Sequence, residues 1–319
     1  MRLHSTPIHN QQVNTQAGIA LLTVLLVMAI ASITAVQLIE LQQFSVRRSE
    51  LLLHRQQAKH YILGAERWAL AILSRDQKAS DTDHDGEDWA TIPPALPVEG
   101  GFIKGQLSDL QARFNLNNIL DAEGTINERQ LLIFRNLLES LELPTSVAAA
   151  VADWLDEDSQ ARFPDGAEDS DYLLATPPYL AANQRFSDLS VLRLVKGVES
   201  DVYAKLKPFV CALPQTAAIN INTASEELLM ALDPALDRAT AQRLIDDRKQ
   251  QAFTSVEDFI SASKILDTQI KASEISVGSN YFLLDAEAEI GTAQAQLHSV
   301  LRRSDQQLSV ISRSFGTEN

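Results

Sequence analysis

Apolar residues follow one spacing after another along the chain, and each change of spacing predicts a change of element. From Ile19 to Ile39 no residue is charged, and the polar ones are only Thr23, Ser32, Thr34 and Gln37. A helix needs about 20 apolar residues to cross the hydrocarbon core of a bilayer, so 19–39 predicts a transmembrane span. No glycine or proline follows until Gly64, and Leu38, Leu41, Val46, Leu52 and Leu53 recur at helical spacing among Gln, Arg and Glu. The helix is therefore expected to run on as an amphipathic stalk over 40–75, ending near Ser74. From Asp76 to Glu87 the sequence turns to charges and turn formers.

Past that loop, extended by Pro93, Pro94 and Pro97, the stretch Gly101 to Leu110 reads as a strand entered through glycines. Between Phe114 and Ile275 the spacing becomes helical again, as in Leu131, Phe134, Leu137, Leu138 and Leu141, and predicts helices of about 10–15 residues. After it, 281–290, 294–302 and 307–315 alternate apolar with polar positions, with Gly291 and Ser304-Asp305 at the joints. These predict a three-stranded antiparallel meander. An isolated strand at 102–109 would leave an unpaired edge, so the economical arrangement inserts the helical block into an α+β body whose sheet packs on the stalk.

What precedes the apolar run decides how it is used. Residues 1–18 are polar, carry Gln11, Gln12, Asn14 and Gln16, and have Arg2 as their one fixed positive side chain. That is a poor start for a secretory signal, although Ala29-Ile30-Ala31 supplies the small-x-small pattern of ordinary signal cleavage. A polar leader ending in Gly18 and followed at once by the apolar helix resembles a prepilin-type signal. The resemblance implies cleavage between Gly18 and Ile19 by a prepilin peptidase, with the anchor retained. It also calls for Glu at the fifth mature position, where this chain has Thr23. Flanking charge runs against the positive-inside rule, since Arg47, Arg48, Arg55 and Lys59 follow the span, but long domains translocate regardless of such charges.

Charge narrows the partners. With 42 acidic against 27 basic residues in 319, the net charge is −15, which opposes nucleic acid and anionic membrane surfaces. The lone cysteine, Cys211, lies in Phe209-Val210-Cys211-Ala212-Leu213 and reads as a buried inert thiol. No set of nucleophile, base and cleft can be read, so an enzyme is not expected.

Two acidic segments are candidates for metal. Asp81-Thr82-Asp83-His84-Asp85-Gly86 imitates the start of a calcium loop, but the twelfth place is Ile92 where a bidentate Glu belongs, so a solvated loop is the expectation. In the second, Asp153, Asp156, Glu157, Asp158, Asp165, Glu168, Asp169 and Asp171 crowd together, relieved by Arg162 alone. Such a run is either a solvated loop or a site for Ca²⁺, which takes six to eight oxygens in irregular loops. Trp154, Phe163 and Tyr172 predict a packed loop, and Gly166 a backbone turn around the ion. The candidate ligands are Asp153, Asp156, Asp158, Glu168, Asp169 and Asp171.

The segment 219–229 followed by 241–248 resembles a helix-hairpin-helix unit, which often holds DNA through a glycine-bearing turn. Here the turn, Leu232-Asp233-Pro234-Ala235-Leu236-Asp237-Arg238, has no glycine and two acids and should repel phosphate. A membrane-anchored DNA-uptake protein is the alternative resting on this similarity.

Several stretches together resemble the K-type minor pseudopilin family of the type II secretion system across the whole chain. They are Gly18-Ile19 with Thr23, Asp83-His84 with Glu87 and Trp89-Ala90, Asp109-Leu110-Gln111, and Arg113 to Asn118. Asp153-Trp154-Leu155-Asp156, Gly166 to Asp169 and Ile219 to Ala224 complete the set. The resemblance implies a pilin-like α+β fold with a large all-α insertion of SAM-like and helix-hairpin-helix-like subdomains. Its domains are a leader (1–18), span (19–39), stalk (40–75), body (76–113), insertion (114–218 and 219–276) and C-terminal strands (277–319). It further implies methylation, calcium in the helical domain, no nucleic acid, and single-pass inner-membrane anchorage with a periplasmic C-terminal domain. The implied role is capping the pseudopilus tip and helping initiate its assembly with I-type and J-type minor pseudopilins. The missing Glu fits that role, because a tip subunit has no neighbour above whose buried amino terminus it must neutralise.

Overall fold

The computed structural model describes residues 15–91, 95–265, 268–304 and 307–316. Most of the leader, with Arg2, and Ile92, Pro93, Pro94 and Asp305 lie outside them. The chain divides into two compact units, 1–57 and 58–319.

In the first unit the described chain is helix α1 (Thr15–Ala79) as far as Gln57. Its most apolar 18-residue window has a mean hydropathy of 2.7 and buries none of its residues within the chain, so the helix is long and apolar enough to cross a membrane. The hydroxyls of Thr23, Ser32 and Thr34 there bond to the helix itself. Thr23 Oγ1 donates to the Ala20 carbonyl at 2.9 Å, Ser32 Oγ to Met28 at 2.8 Å and Thr34 Oγ1 to Ala31 at 2.9 Å. Hydrocarbon surroundings demand that satisfaction.

In the second unit the last turns of α1 bury Ala58, Ile62, Ala69, Ile72 and Leu73, positions that share one helix face, against an antiparallel sheet. The helix passes Ser74, where it was expected to end, and reaches Ala79. Arg303 and the Ser304 carbonyl hold Asp76 and Gln77 in the helical register.

The chain then forms β1 (Leu96–Val98) and β2 (Gly101–Asp109). A first helical segment follows with β3 (Phe114–Asn115), α2 (Glu128–Ser140), α3 (Ser146–Leu155), α4 (Asp169–Tyr172), α5 (Ser200–Leu206) and β4 (Val210–Cys211). A second contains β5 (Ile219–Asn220), α6 (Glu226–Leu232), α7 (Arg238–Gln250), α8 (Val256–Ser263) and β6 (Ile275–Ser276). The chain ends in β7 (Tyr281–Ile290), β8 (Ala293–Arg303) and β9 (Leu308–Phe315).

Among the described residues the main sheet has the order β1-β2-β7-β8-β9, antiparallel throughout. Strand β2 pairs with β7 from Gly101↔Ile290 to Asp109↔Phe282, closing the sheet across the whole insertion. Alternation along β7 turns Phe282, Leu284, Ala286, Ala288 and Ile290 to the helix.

The insertion is not all-α. Strand β3 pairs in parallel with β4, and β5 with β6. Each pair joins the start and end of one half of the insertion, where ladder hydrogen bonds satisfy backbone groups that burial strips of water. One continuous apolar core runs through both halves and includes Phe114, Phe134, Trp154, Leu228 and Phe259. Cys211 is buried with its Sγ on the Leu110 carbonyl at 3.3 Å, and burial pushes its thiol up to about 12, so it is inert.

Candidate metal centre

Helix α3 ends in Asp153-Trp154-Leu155, with Asp156 extended as its cap and Asp158 just beyond. Carboxylates at a helix C-terminus stand where the helix dipole is itself negative, so something positive must compensate them. Arg162 does so in part. Its Nε is 3.8 Å from Asp153 Oδ1 and 4.0 Å from Asp156 Oδ2, while its Nη1 is drawn to Glu128 at 2.9 Å.

Asp153 organises the loop. Its Oδ2 accepts from the backbone N–H groups of Arg162 at 3.0 Å and Ala167 at 2.8 Å. The loop comes so close that a Cβ on Gly166 would strike Asp153 Oδ2 and the Arg162 backbone. That close approach is why glycine stands there. The loop delivers Glu168, 4 % exposed, to the end of α3. One carboxylate oxygen from each of Asp156, Asp158 and Glu168 lies within 4.8 Å of the others.

Four oxygens here are buried without a hydrogen-bond partner: Asp153 Oδ1, Asp156 Oδ1 and both oxygens of Glu168. Burial, and then the charges of Asp153, Asp156, Asp158 and Asp169, push the Glu168 carboxyl up to about 7. Burial followed by Asp158 and Asp153 takes Asp156 to about 6. Asp153 is raised by burial against its backbone bonds. Orphaned buried oxygens are costly, and oxygens within this spacing can share one ion at the 2.3–2.6 Å typical of Ca²⁺. The donor set fits that cation.

Of the six residues expected as ligands, Asp156, Asp158 and Glu168 converge, and Asp153 adjoins them through Arg162, whose Nε lies 3.8 Å from Asp153 Oδ1 and 4.0 Å from Asp156 Oδ2. Asp169 and Asp171 do not join that group. Asp169 Oδ1 accepts from Ala181 N at 2.9 Å, while Asp171 takes Lys196 Nζ at 2.6 Å and Glu168 N at 3.3 Å. The bond from Lys196 holds the Asp171 carboxyl below its ordinary value. Both residues fasten α4.

The aromatic packing also differs from expectation. Trp154, Tyr172 and Tyr179 form a cluster with centroids 5.2–6.4 Å apart, whereas Phe163 is 98 % exposed. Tyr179 is the residue that sequence reading missed, because it lies outside the acidic run.

The hairpin between α6 and α7 uses its acids internally. Asp233 accepts from Ala235 N, Gln269 N and Thr268 Oγ1, each at 2.9 Å, and Asp237 caps α7 through Thr240 N at 2.8 Å. A carboxylate thus occupies the helix N-terminus where a phosphate would otherwise sit.

The Asn-rich stretch is also structural. Asn115, Asn117 and Asn118 bond to the backbone of Gln215, Leu213, Phe186 and Ala217 at 2.8–3.0 Å, splicing the return chain onto the first half of the insertion. Gly18, Ile19 and Thr23 are exposed on α1.

Models of the family described as "Type II secretion system (T2SS), protein K" match residues 112–215 and 219–278. "Type II secretion system protein K" of Pseudomonas aeruginosa is 39 % identical over 313 residues, covering 94 % of this chain and 93 % of the relative. That of Pectobacterium carotovorum is 35 % identical over 319 residues, covering 94 % and 97 %. Among solved structures, the GspK-GspI-GspJ complex of the enterotoxigenic Escherichia coli type 2 secretion system contains a similar chain. Its TM-score is 0.69 at 30 % identity, covering 85 % of this chain and 100 % of that one.

Proposed function

This chain belongs to the type II secretion system protein K family, and from that premise we propose that it is the minor pseudopilin that caps the pseudopilus tip and helps initiate its assembly. In this reading residues 19–39 cross the inner membrane once and the C-terminal domain is periplasmic. A prepilin peptidase cleaves between Gly18 and Ile19, and the new amino terminus is methylated. The partners are I-type and J-type minor pseudopilins, as in the complex to which the chain is similar. The protein has no catalytic task and binds no nucleic acid.

The observation that carries the tip assignment is Thr23. A subunit that adds beneath another needs a carboxylate at this depth to meet its neighbour's buried amino terminus, since an unpaired charge in lipid is costly. Thr23 instead bonds to its own helix at 2.9 Å. Ca²⁺ is part of the same reading, held by Asp156, Asp158 and Glu168 with Asp153 Oδ1 beside them. Bound there, the ion supplies positive charge to the crowded carboxylates. Asp153 Oδ2 and Gly166 keep the loop closed around them.

Co-purification of the full chain in detergent with cognate I-type and J-type minor pseudopilins tests the assembly reading. A stable ternary complex is expected. Failure to form with both partners would leave the tip role without support.

A further inference from the structure

A second group of carboxylates lies far along the sequence from the first. Asp76 is in the last turns of α1, Asp83 and Glu87 are in the following loop, and one oxygen of each lies within 4.8 Å of the others. Their side chains are 9 %, 1 % and 12 % exposed. The loop expected to be solvated is thus folded inward at Asp83.

Positive charge and donors do not match this burial. Arg303 serves two of the carboxylates, donating to Asp76 Oδ2 at 2.9 Å and to Asp83 Oδ2, and also to the Ser279 carbonyl at 2.7 Å. Asp83 Oδ2 further accepts from Ser279 N at 2.7 Å. Glu87 Oε2 accepts from Trp89 Nε1 at 2.8 Å and His84 N at 3.1 Å. Asp83 Oδ1 is buried with no partner at all. Three nearly buried carboxylates against one guanidinium are an excess of two negative charges, and His84, whose Nε2 is 3.8 Å from Glu87 Oε1, offsets at most one of them.

We propose that Asp76, Asp83 and Glu87 hold a divalent cation, Ca²⁺, with Asp83 Oδ1 as its buried ligand. The oxygen spacing suits bond lengths of about 2.4 Å, and a hard cation satisfies the lone pairs that no donor reaches. The site ties the end of α1 to the loop after it and, through Asp83 and Ser279, to the exit of the helical insertion. Asp83 N donates to the Val277 carbonyl at 2.9 Å, and a Cβ on Gly278 would come within 2.9 Å of the Asp81 carbonyl, so the two segments are pressed together there. The cation therefore acts as a clasp between the body and its insertion, independent of the centre at Asp156 and Glu168.

Equilibrium dialysis of the full chain in detergent against ⁴⁵Ca²⁺, after chelation, reads both centres. Removing the first centre with D156N/E168Q should leave bound calcium. Adding D83N, or separately E87Q, to that background should weaken the remaining binding at least tenfold. E87Q keeps an acceptor for Trp89 and His84, so it reports on the ion even if D83N disturbs folding, and near-ultraviolet dichroism checks both. Loss of all calcium in D156N/E168Q would overturn the proposal while leaving the first centre intact. So would retention of calcium by D156N/E168Q with either D83N or E87Q added, or binding of Mg²⁺ alone. Calcium lost from D83N and E87Q but unaffected by D156N/E168Q would support the clasp and remove the first centre.

Discussion

Glu168 has no donor for either carboxylate oxygen, and its ionisation is the feature most exposed to experiment. Its carboxyl is raised to about 7, and that of Asp156 to about 6, from about 4.3 and 3.9 in an unfolded chain. Groups raised on folding add stability at low pH, and that contribution disappears as pH climbs through their folded values. Metal-free chain should therefore lose melting temperature between pH 5 and 8, with Asp76 and Asp109, both raised to about 6 by burial first, adding to the loss. Calcium requires the ionised carboxylates, so its stabilisation should grow over the same range. At a hundredfold excess over Kd, roughly 2.7 kcal/mol of binding should raise the midpoint by roughly 5–10 °C at pH 8 and much less at pH 5. Scanning calorimetry with calcium and with chelator measures both curves; coincident curves would refute metal binding, and parallel curves held apart would refute its coupling to these carboxylates. The carboxylates were legible as a group because charge crowding is visible in sequence. Which of them converge was not, because the backbone bonds that engage Asp169 and the Lys196 contact that engages Asp171 depend on tertiary placement.

Elements followed the apolar pattern wherever a period could build up. Strands β7 and β8 are long enough for alternation to show, and α2 repeats its apolar residues through Ile133, Phe134, Leu137 and Leu138. Strands of two residues, such as β3 to β6, have no period, so the parallel ladders that join the ends of each half of the insertion were invisible. The buried charge on α1 was equally hidden. Glu66 is 3 % exposed on the face that packs on the sheet, and accepts from Arg313 Nε and Nη2 and from Ser299 Oγ, all at 2.7 Å. Nothing in local spacing announces that an arginine from β9, far along the chain, will reach it. Arg313→Ala should strand that carboxylate with one neutral donor. Because the arginine is exposed while Glu66 is not, solvent screens the pair, and the expected effect is a modestly lower unfolding midpoint in denaturant from the buried carboxylate left short of donors. Arg313→Lys should recover part of it, and an unchanged midpoint in the alanine variant would mean that the pair adds no stability.

At the scale of the whole molecule, sequence order and spatial order part company, because a sheet begun by β1 and β2 is completed by β7, β8 and β9 only after the insertion returns. That closure was legible from an unpaired early strand, and the family pattern reinforced it. The tip role is a claim about the whole molecule that can be tested through one residue. Thr23 is exposed on α1 within the apolar run, so whatever stands there faces lipid or a neighbouring helix. If tip placement follows from the missing carboxylate, Thr23→Glu gains nothing from a partner above and must place an acidic group among apolar side chains. A charged residue at such a depth costs about 2.5–3.5 kcal/mol on insertion scales. Secretion supported by the Thr23→Glu chain should be unchanged or reduced. Substitution of Gly18, which blocks the proposed cleavage, should abolish it. Complementation of a strain lacking the protein, scored by export of a secreted enzyme, measures both. If Thr23→Glu raised export, or let the chain replace a major subunit along the fibre, Thr23 would no longer support the proposed tip role, which would then rest on the helical insertion alone.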